Sequence, residues 1–314
     1  MAVMGVNLHN IFHPNRRCII NADLDGFLSG MLLQKYLNWE VVGFSSCSGG
    51  TSDEIWVTEP KVDITECVFV DLPVATKMIT TIDQHFTLLD NDSVGRYIKC
   101  GNKINPNAMR GYCYNNGDYC SKYPFGTVHF IIACLENIEV IKDTFLFNVN
   151  LDGCDKLDVL FRADGVVKNM YNYTQNCTSW SNWMMDLGGY NTSLVFNTLL
   201  DEYQKRYLKI SEVEKMLASF GCKRKDGDCS NMISNGNLAA LQQYINWLAS
   251  LFNVDTIHIS NLFQTNKLSG IRTTMSDNIA EQLRNPNIFS YAMVNSHEIS
   301  ITYLLGKLSN KEYI

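Results

Sequence analysis

RCIINADLDG, Arg17 to Gly26, compresses a strand, an acidic turn and the approach to a helix into one short stretch. Arg17–Ala22 carries the apolar run Cys18-Ile19-Ile20, of the kind that forms a strand. It stops at Asp23-Leu24-Asp25-Gly26. Beyond the turn, Phe27–Leu37 places Leu28, Met31, Leu32 and Tyr36 or Leu37 on one helical face. Strand, turn and helix in that order open an α/β unit.

Working outward, the pattern repeats. Glu40–Phe44 (EVVGF) reads as a second strand, followed by a Gly/Ser-rich loop, Ser45 to Ser52. Glu66–Val70 (ECVFV) is a nearly continuous apolar run suited to a strand covered on both faces. Met78–Ile82 is a fourth strand candidate and ends at Asp83-Gln84-His85. Asn91 to Lys122 is polar and Gly/Asn-rich and reads as loop. Phe125–Glu136 reads as a buried helix, its β-branched content leaving a strand open, and the apolar segment Leu157–Ala163 leads into Asp164. After about residue 190 the character changes. Helical patterns near Ser193–Phe220 and Leu238–Leu251 precede strand-like runs at Thr256–Ile259, Lys267–Thr274, Phe289–Val294 and Glu298–Leu304. The expectation is an α/β protein. A domain over 1–190 with a largely parallel sheet is joined by a helical connector to a smaller α+β domain, the two together filling 191–314.

Composition narrows the chemistry. With 46% hydrophobic and 18% charged residues, the chain of 314 has the makeup of a folded globular protein. Its formal charge of −6 provides no bulk basic field for nucleic acid, which favours a short or small phosphate ester over a long duplex. No basic leader followed by an apolar run and no membrane-length stretch is visible, so a cytoplasmic location without a membrane partner is expected. The eleven cysteines, an odd number, then read as reduced thiols. Cys113 with Cys120 and Cys222 with Cys229 share one separation, wider than the usual spacing of a structural zinc site. The basic run Lys223–Lys225 reads as a solvated loop.

Acidic residues recur where apolar runs end: Asp23 and Asp25, then Asp71, then Asp83 with His85, then Asp164. One such Asp is ordinarily a helix cap or turn former. As a set they have a different meaning, because the carboxyl ends of parallel strands meet along one edge, where ligands bind. Two like charges about 4 Å apart repel by roughly 4 kcal/mol even at an effective dielectric near 20, so such a cluster calls for cations. Carboxylates with an imidazole suit Mn²⁺ or Mg²⁺.

NADLDG, FVDLP, IDQH and RADG occur in the order and spacing of the DHH phosphoesterase superfamily, which this chain resembles over roughly residues 17–165. The resemblance implies that Asp23, Asp25, Asp71 and Asp164 are metal ligands and that Asp83 and His85 take the catalytic triplet's first and third places. Gln84 replaces the histidine that usually ligates a metal there, and an amide oxygen is the weaker ligand. Asp155 and Asp158 are fallback candidates for the last motif. The Gly-rich C-terminal signature of the RecJ- and nano-RNase-like members is missing; Arg272 and His297 are the nearest phosphate-binding candidates. Ser29 and a backbone nest in Ser45–Glu54 are further ones, while His129, downstream of the triplet, is a candidate to support the site from behind its ligands. The implied activity is metal-dependent hydrolysis of phosphodiester bonds in short oligonucleotides or small signalling nucleotides, with homodimer formation left open. The alternatives are a single-strand exonuclease, a pyrophosphatase, or an inactive protein that sequesters a nucleotide.

Overall fold

Cys18, Ile19 and Ile20 are fully buried, because β1 (Arg17–Asn21) has a parallel strand on each side. The computed structural model describes residues 7–46, 54–144, 155–223, 226–276 and 278–305. Within it β1 pairs with β2 (Glu40–Ser45) and β4 (Val68–Val70), β4 with β5 (Thr80–Ile82), and β5 with β6 (Lys103–Ile104), all parallel. On the other side β3 (Glu54–Val57) runs antiparallel to β2. β7 (Phe263–Thr274) runs antiparallel to β3, β9 (Glu298–Leu304) to β7, and β8 (Ile288–Met293) to β9. The sheet order is therefore β6-β5-β4-β1-β2-β3-β7-β9-β8. The expected α/β class with a largely parallel first portion is present.

The chain divides into two compact units, and neither is a continuous stretch. The first comprises 1–21, 40–123 and 262–314 and holds all nine strands found among the described residues. It also contains α1 (Leu8–Ile11), α3 (Asn91–Cys100), α4 (Pro106–Met109) and α13 (Ile279–Gln282). Its core is built from Ile19, Val42, Ile55, Phe69 and Ile79 together with Leu268, Phe289 and Leu304. The C-terminal strands thus belong to the same sheet and core as the N-terminal ones. The boundary expected at 190/191 falls at the first turn of a helix in the second unit.

In that second unit, 22–39 with 124–261, the regular elements among the described residues are all helices. It comprises α2 (Leu24–Leu37), α5 (Thr127–Asn137), α6 (Lys156–Leu160), α7 (Val166–Asn172), α8 (Thr174–Leu187), α9 (Tyr190–Tyr207), α10 (Ile210–Ser219), α11 (Ser230–Ser234) and α12 (Leu238–Phe252). Phe27 of α2 meets Tyr244 of α12 edge-on, with ring centroids 5.6 Å apart. α9 has no side-chain cap of its own. Glu136 at the end of α5 supplies one, accepting from the amides of Gly189, Asn191 and Thr192 at 2.7–2.9 Å. A carboxylate there satisfies unpaired N–H groups and faces the positive end of the helix dipole.

Several local expectations are corrected. The polar stretch 91–122 is not all loop: α3 forms there with Val94 and Tyr97 as its buried face, capped by Asp90. Leu157–Ala163 is helical, since Asp155 and Asp158 make a reciprocal capping box that starts α6. Thr256–Ile259 pairs with no strand; the Gln242 side chain bonds the main chain of Ile257 and Ile259 instead. The buried helix expected at Phe125–Glu136 is present as α5.

Candidate metal centre

In the first unit the ladder between β4 and β5 pairs Val70 with Ile82 and continues one residue further. The Asp71 amide donates to the Ile82 carbonyl (2.8 Å), and the Asp83 amide to that of Ile104 (3.1 Å). The two aspartates therefore stand side by side at the carboxyl ends of neighbouring parallel strands, where α/β sheets bind ligands. Asp71 adopts φ 60°, a left-handed turn that Asp tolerates better than most side chains. Both carboxylates are buried, while His85 is half-exposed. His85 Nδ1 lies 2.6 Å from Asp83 Oδ1. Ligand atoms of Asp71, Asp83 and His85 all fall within 4.8 Å of one another, a group that can hold a divalent ion.

The segments carrying these residues are fixed by neighbours that the sequence reading missed. Asn105 and Asn107, both fully buried, hold the Asp83-Gln84-His85 loop. Asn105 Nδ2 donates to the His85 carbonyl (2.8 Å) and Asn107 Nδ2 to that of Gln84 (2.9 Å). Asn105 Oδ1 in turn accepts from the Asn107 amide at 2.8 Å, capping α4. Asn21, at the end of β1, donates to Asp71 Oδ2 (3.1 Å). The signal for the asparagines was Asn-Pro-Asn directly after a β-branched residue, which marks a helix start with Pro at its first position. β8 braces both loops through the main chain: Tyr291 N to Pro73 O, Ala75 N to Phe289 O, and Met293 N to Phe86 O. A small cavity of about 30 Å³, lined by Asp83 with Val74, Thr81, Tyr97 and Tyr291, has room for water. Lys103 of β6 is buried, with Nζ 2.7 Å from the Val74 carbonyl; burial pushes its amine down to about 7.

The second unit gathers the other predicted carboxylates. Asp23 caps α2 by accepting from the Gly26 amide at 3.0 Å. Asp25, buried in the first turn, accepts from the Thr127 and Val128 amides at 2.6 and 2.8 Å and so caps α5. Gly126 is required here: a Cβ on it would sit 2.8 Å from Asp25 Oδ1. Asp164 occupies a left-handed kink, φ 51°, just ahead of α7. Burial, then the charge of Asp164, push the Asp23 carboxyl up to about 7, with Asp226 and Asp228 adding to the effect and the Gly26 amide opposing it. Burial, Asp164 and Asp23 raise Asp25 well above the usual carboxylate range despite its two amide bonds. Asp23 and Asp25 thus resist ionising together, and a cation nearby would relieve that repulsion.

The remaining candidates have other surroundings. Asp155 and Asp158 are engaged by Arg206, at 3.0 and 2.7 Å. Arg272 is exposed on β7 and His297 is exposed in the turn between β8 and β9. Ser29 is buried within α2, its hydroxyl without a hydrogen-bond partner among the described residues. His129 is buried in α5 between Phe125 and Phe196, and among the described residues neither ring nitrogen has a hydrogen-bond partner. Most of the Ser45–Glu54 nest (47–53) and the Arg224-Lys225 part of the basic run lie outside the described residues. No described helix is long and apolar enough to cross a membrane. Compared with family models, with curated proteins and with solved structures, the chain matches none.

Proposed function

We propose that this chain is a divalent-metal-dependent phosphoesterase that hydrolyses phosphodiester bonds of short oligonucleotides or small signalling nucleotides, using Mn²⁺ or Mg²⁺. The observation that carries the reading is the Asp71–Asp83–His85 group, two buried carboxylates and an imidazole on adjacent parallel strand ends. Support also comes from the resemblance of NADLDG, FVDLP, IDQH and RADG to the DHH pattern. In this reading Asp71, Asp83 and His85 hold the ion, and Asp83 orients the His85 ring through its 2.6 Å contact. Gln84 contributes at most a weak oxygen ligand. Asp23, Asp25 and Asp164 are the family-type carboxylates of the second unit, and Arg272 and His297 are candidates to meet the substrate's phosphates. A bound divalent ion activates a water and neutralises charge on a phosphoryl oxygen.

The test is hydrolysis of dinucleotides, cyclic dinucleotides, single-stranded DNA and pyrophosphate with Mn²⁺ or Mg²⁺, wild type beside Asp71→Ala. Turnover of a short nucleotide that Asp71→Ala abolishes, together with its Mn²⁺ binding, is the expected result. Nucleotide binding without turnover in Mn²⁺ would instead identify a sequestering protein, with Gln84 as the mark of lost catalysis.

A further inference from the structure

Cys222 and Cys229 lie in the second unit with their sulfurs 3.0 Å apart, about 1 Å beyond a disulfide bond. Just inside them the Lys223 amide donates to the Asp228 carbonyl and the Gly227 amide to that of Lys223, both at 2.9 Å. Gly227, at φ 64°, makes the tight return. The loop is also fastened to the acidic turn before α2. The Cys229 amide donates to the Ala22 carbonyl (2.7 Å), and the Leu24 amide to that of Asp226 (3.2 Å). These two bonds bracket Asp23.

We propose that Cys222 and Cys229 are a redox-active dithiol whose oxidation locks this loop onto the turn that carries Asp23. The oxidant is a low-molecular-weight disulfide, RSSR. Cys222, 5% exposed against 0% for Cys229, meets it first. Its thiolate attacks one sulfur of RSSR, the S–S bond breaks, and one RS⁻ leaves. The Cys229 thiolate then attacks Cys222 Sγ in the mixed disulfide and expels the second RS⁻. The two protein protons end on two RSH, and the dithiol has lost two electrons to the reagent. The pairing needs only a short approach of the sulfurs, whereas Cys120, exposed, and Cys100, half-buried, serve as reference thiols for reagent access.

The inference does not rest on the metal reading, and its test needs no metal. The full-length protein is treated with oxidised glutathione in metal-free buffer, digested without reduction, and mapped by mass spectrometry. A Cys222–Cys229 linked peptide, absent from Cys222→Ser, is expected. The linked form should melt about 5 °C higher, as closing a short loop predicts. Exchange of the Leu24 amide should slow by about tenfold, and dithiothreitol should reverse both effects. Complete modification of Cys120 with no linked peptide would overturn the proposal. So would a linked peptide whose formation leaves Leu24 exchange unchanged.

Discussion

Replacing Asp164 by Asn should stabilise the metal-free protein at pH 8 and do so far less at pH 5. Asp164 is the foremost charged neighbour of both Asp23 and Asp25. Asp23 titrates at about 7 in the fold instead of 3.8, so between those values the folded state holds more protons than the unfolded chain. Stability from this group is therefore full below about pH 4 and falls as pH rises through 7. A shift of about three units corresponds to roughly 4 kcal/mol at most, and burial takes the larger share. Asp23 is half-buried, and solvent screening lowers the share of Asp164 further. A gain of about 1–2 kcal/mol for Asp164→Asn at pH 8, shrinking toward zero at pH 5, is the expected size. The difference between variant and wild type is the quantity to follow, because His129 tilts the profile of each protein the other way. Burial pushes its imidazole down to about 3, so its contribution is lost as pH falls from 6.5 toward 3. Urea unfolding at several pH values, with a chelator present, measures the difference directly. A pH-independent difference, or a variant less stable than wild type at pH 8, would refute the repulsion argument. Saturating Mn²⁺ should invert the order by stabilising the wild type more.

Gly126→Ala should cost about 1–3 kcal/mol in urea unfolding, because the new methyl displaces the Asp25 carboxylate from the α5 amides. Asn105→Ala leaves the His85 carbonyl and the Asn107 amide without their partner; a loss of about 1–3 kcal/mol and weaker Mn²⁺ binding by calorimetry are expected. His129→Phe should be neutral or stabilising at pH 7 and more clearly stabilising at pH 5, read from denaturation midpoints, since it removes an imidazole whose protonation the fold opposes.

Strands β1, β2, β4 and β5 were legible because each is a short apolar run stopped by a change of character, and the acidic residues at those stops were legible with them. Asp164 was legible for a reason the structure does not share: a short helix precedes it instead of a strand, and the residue itself sits in a left-handed kink. α3 escaped because Gly95 and its many polar residues mask a narrow apolar face of Val94 and Tyr97. The pairing of β7 with β3 has no local signature, as strand partners distant in sequence are chosen by the whole sheet. Asn105 and Asn107 carry no charge and so drew no notice, although they hold the loop on which His85 stands.

The bonds from β8 to the segments after Asp71 and His85 also have a meaning for the order of assembly. During synthesis, β3 waits for a partner whose residues pair with it across a separation of 210 positions, as Gln264 does with Glu54. Such pairings have high contact order and form late. A nascent chain ending before Phe263 already contains every aspartate and histidine of the metal centre, yet neither of its loops has its brace. The strand that sets the ligands in place is made after all of them, so chains truncated before Phe263 should fail to bind metal with every ligand present.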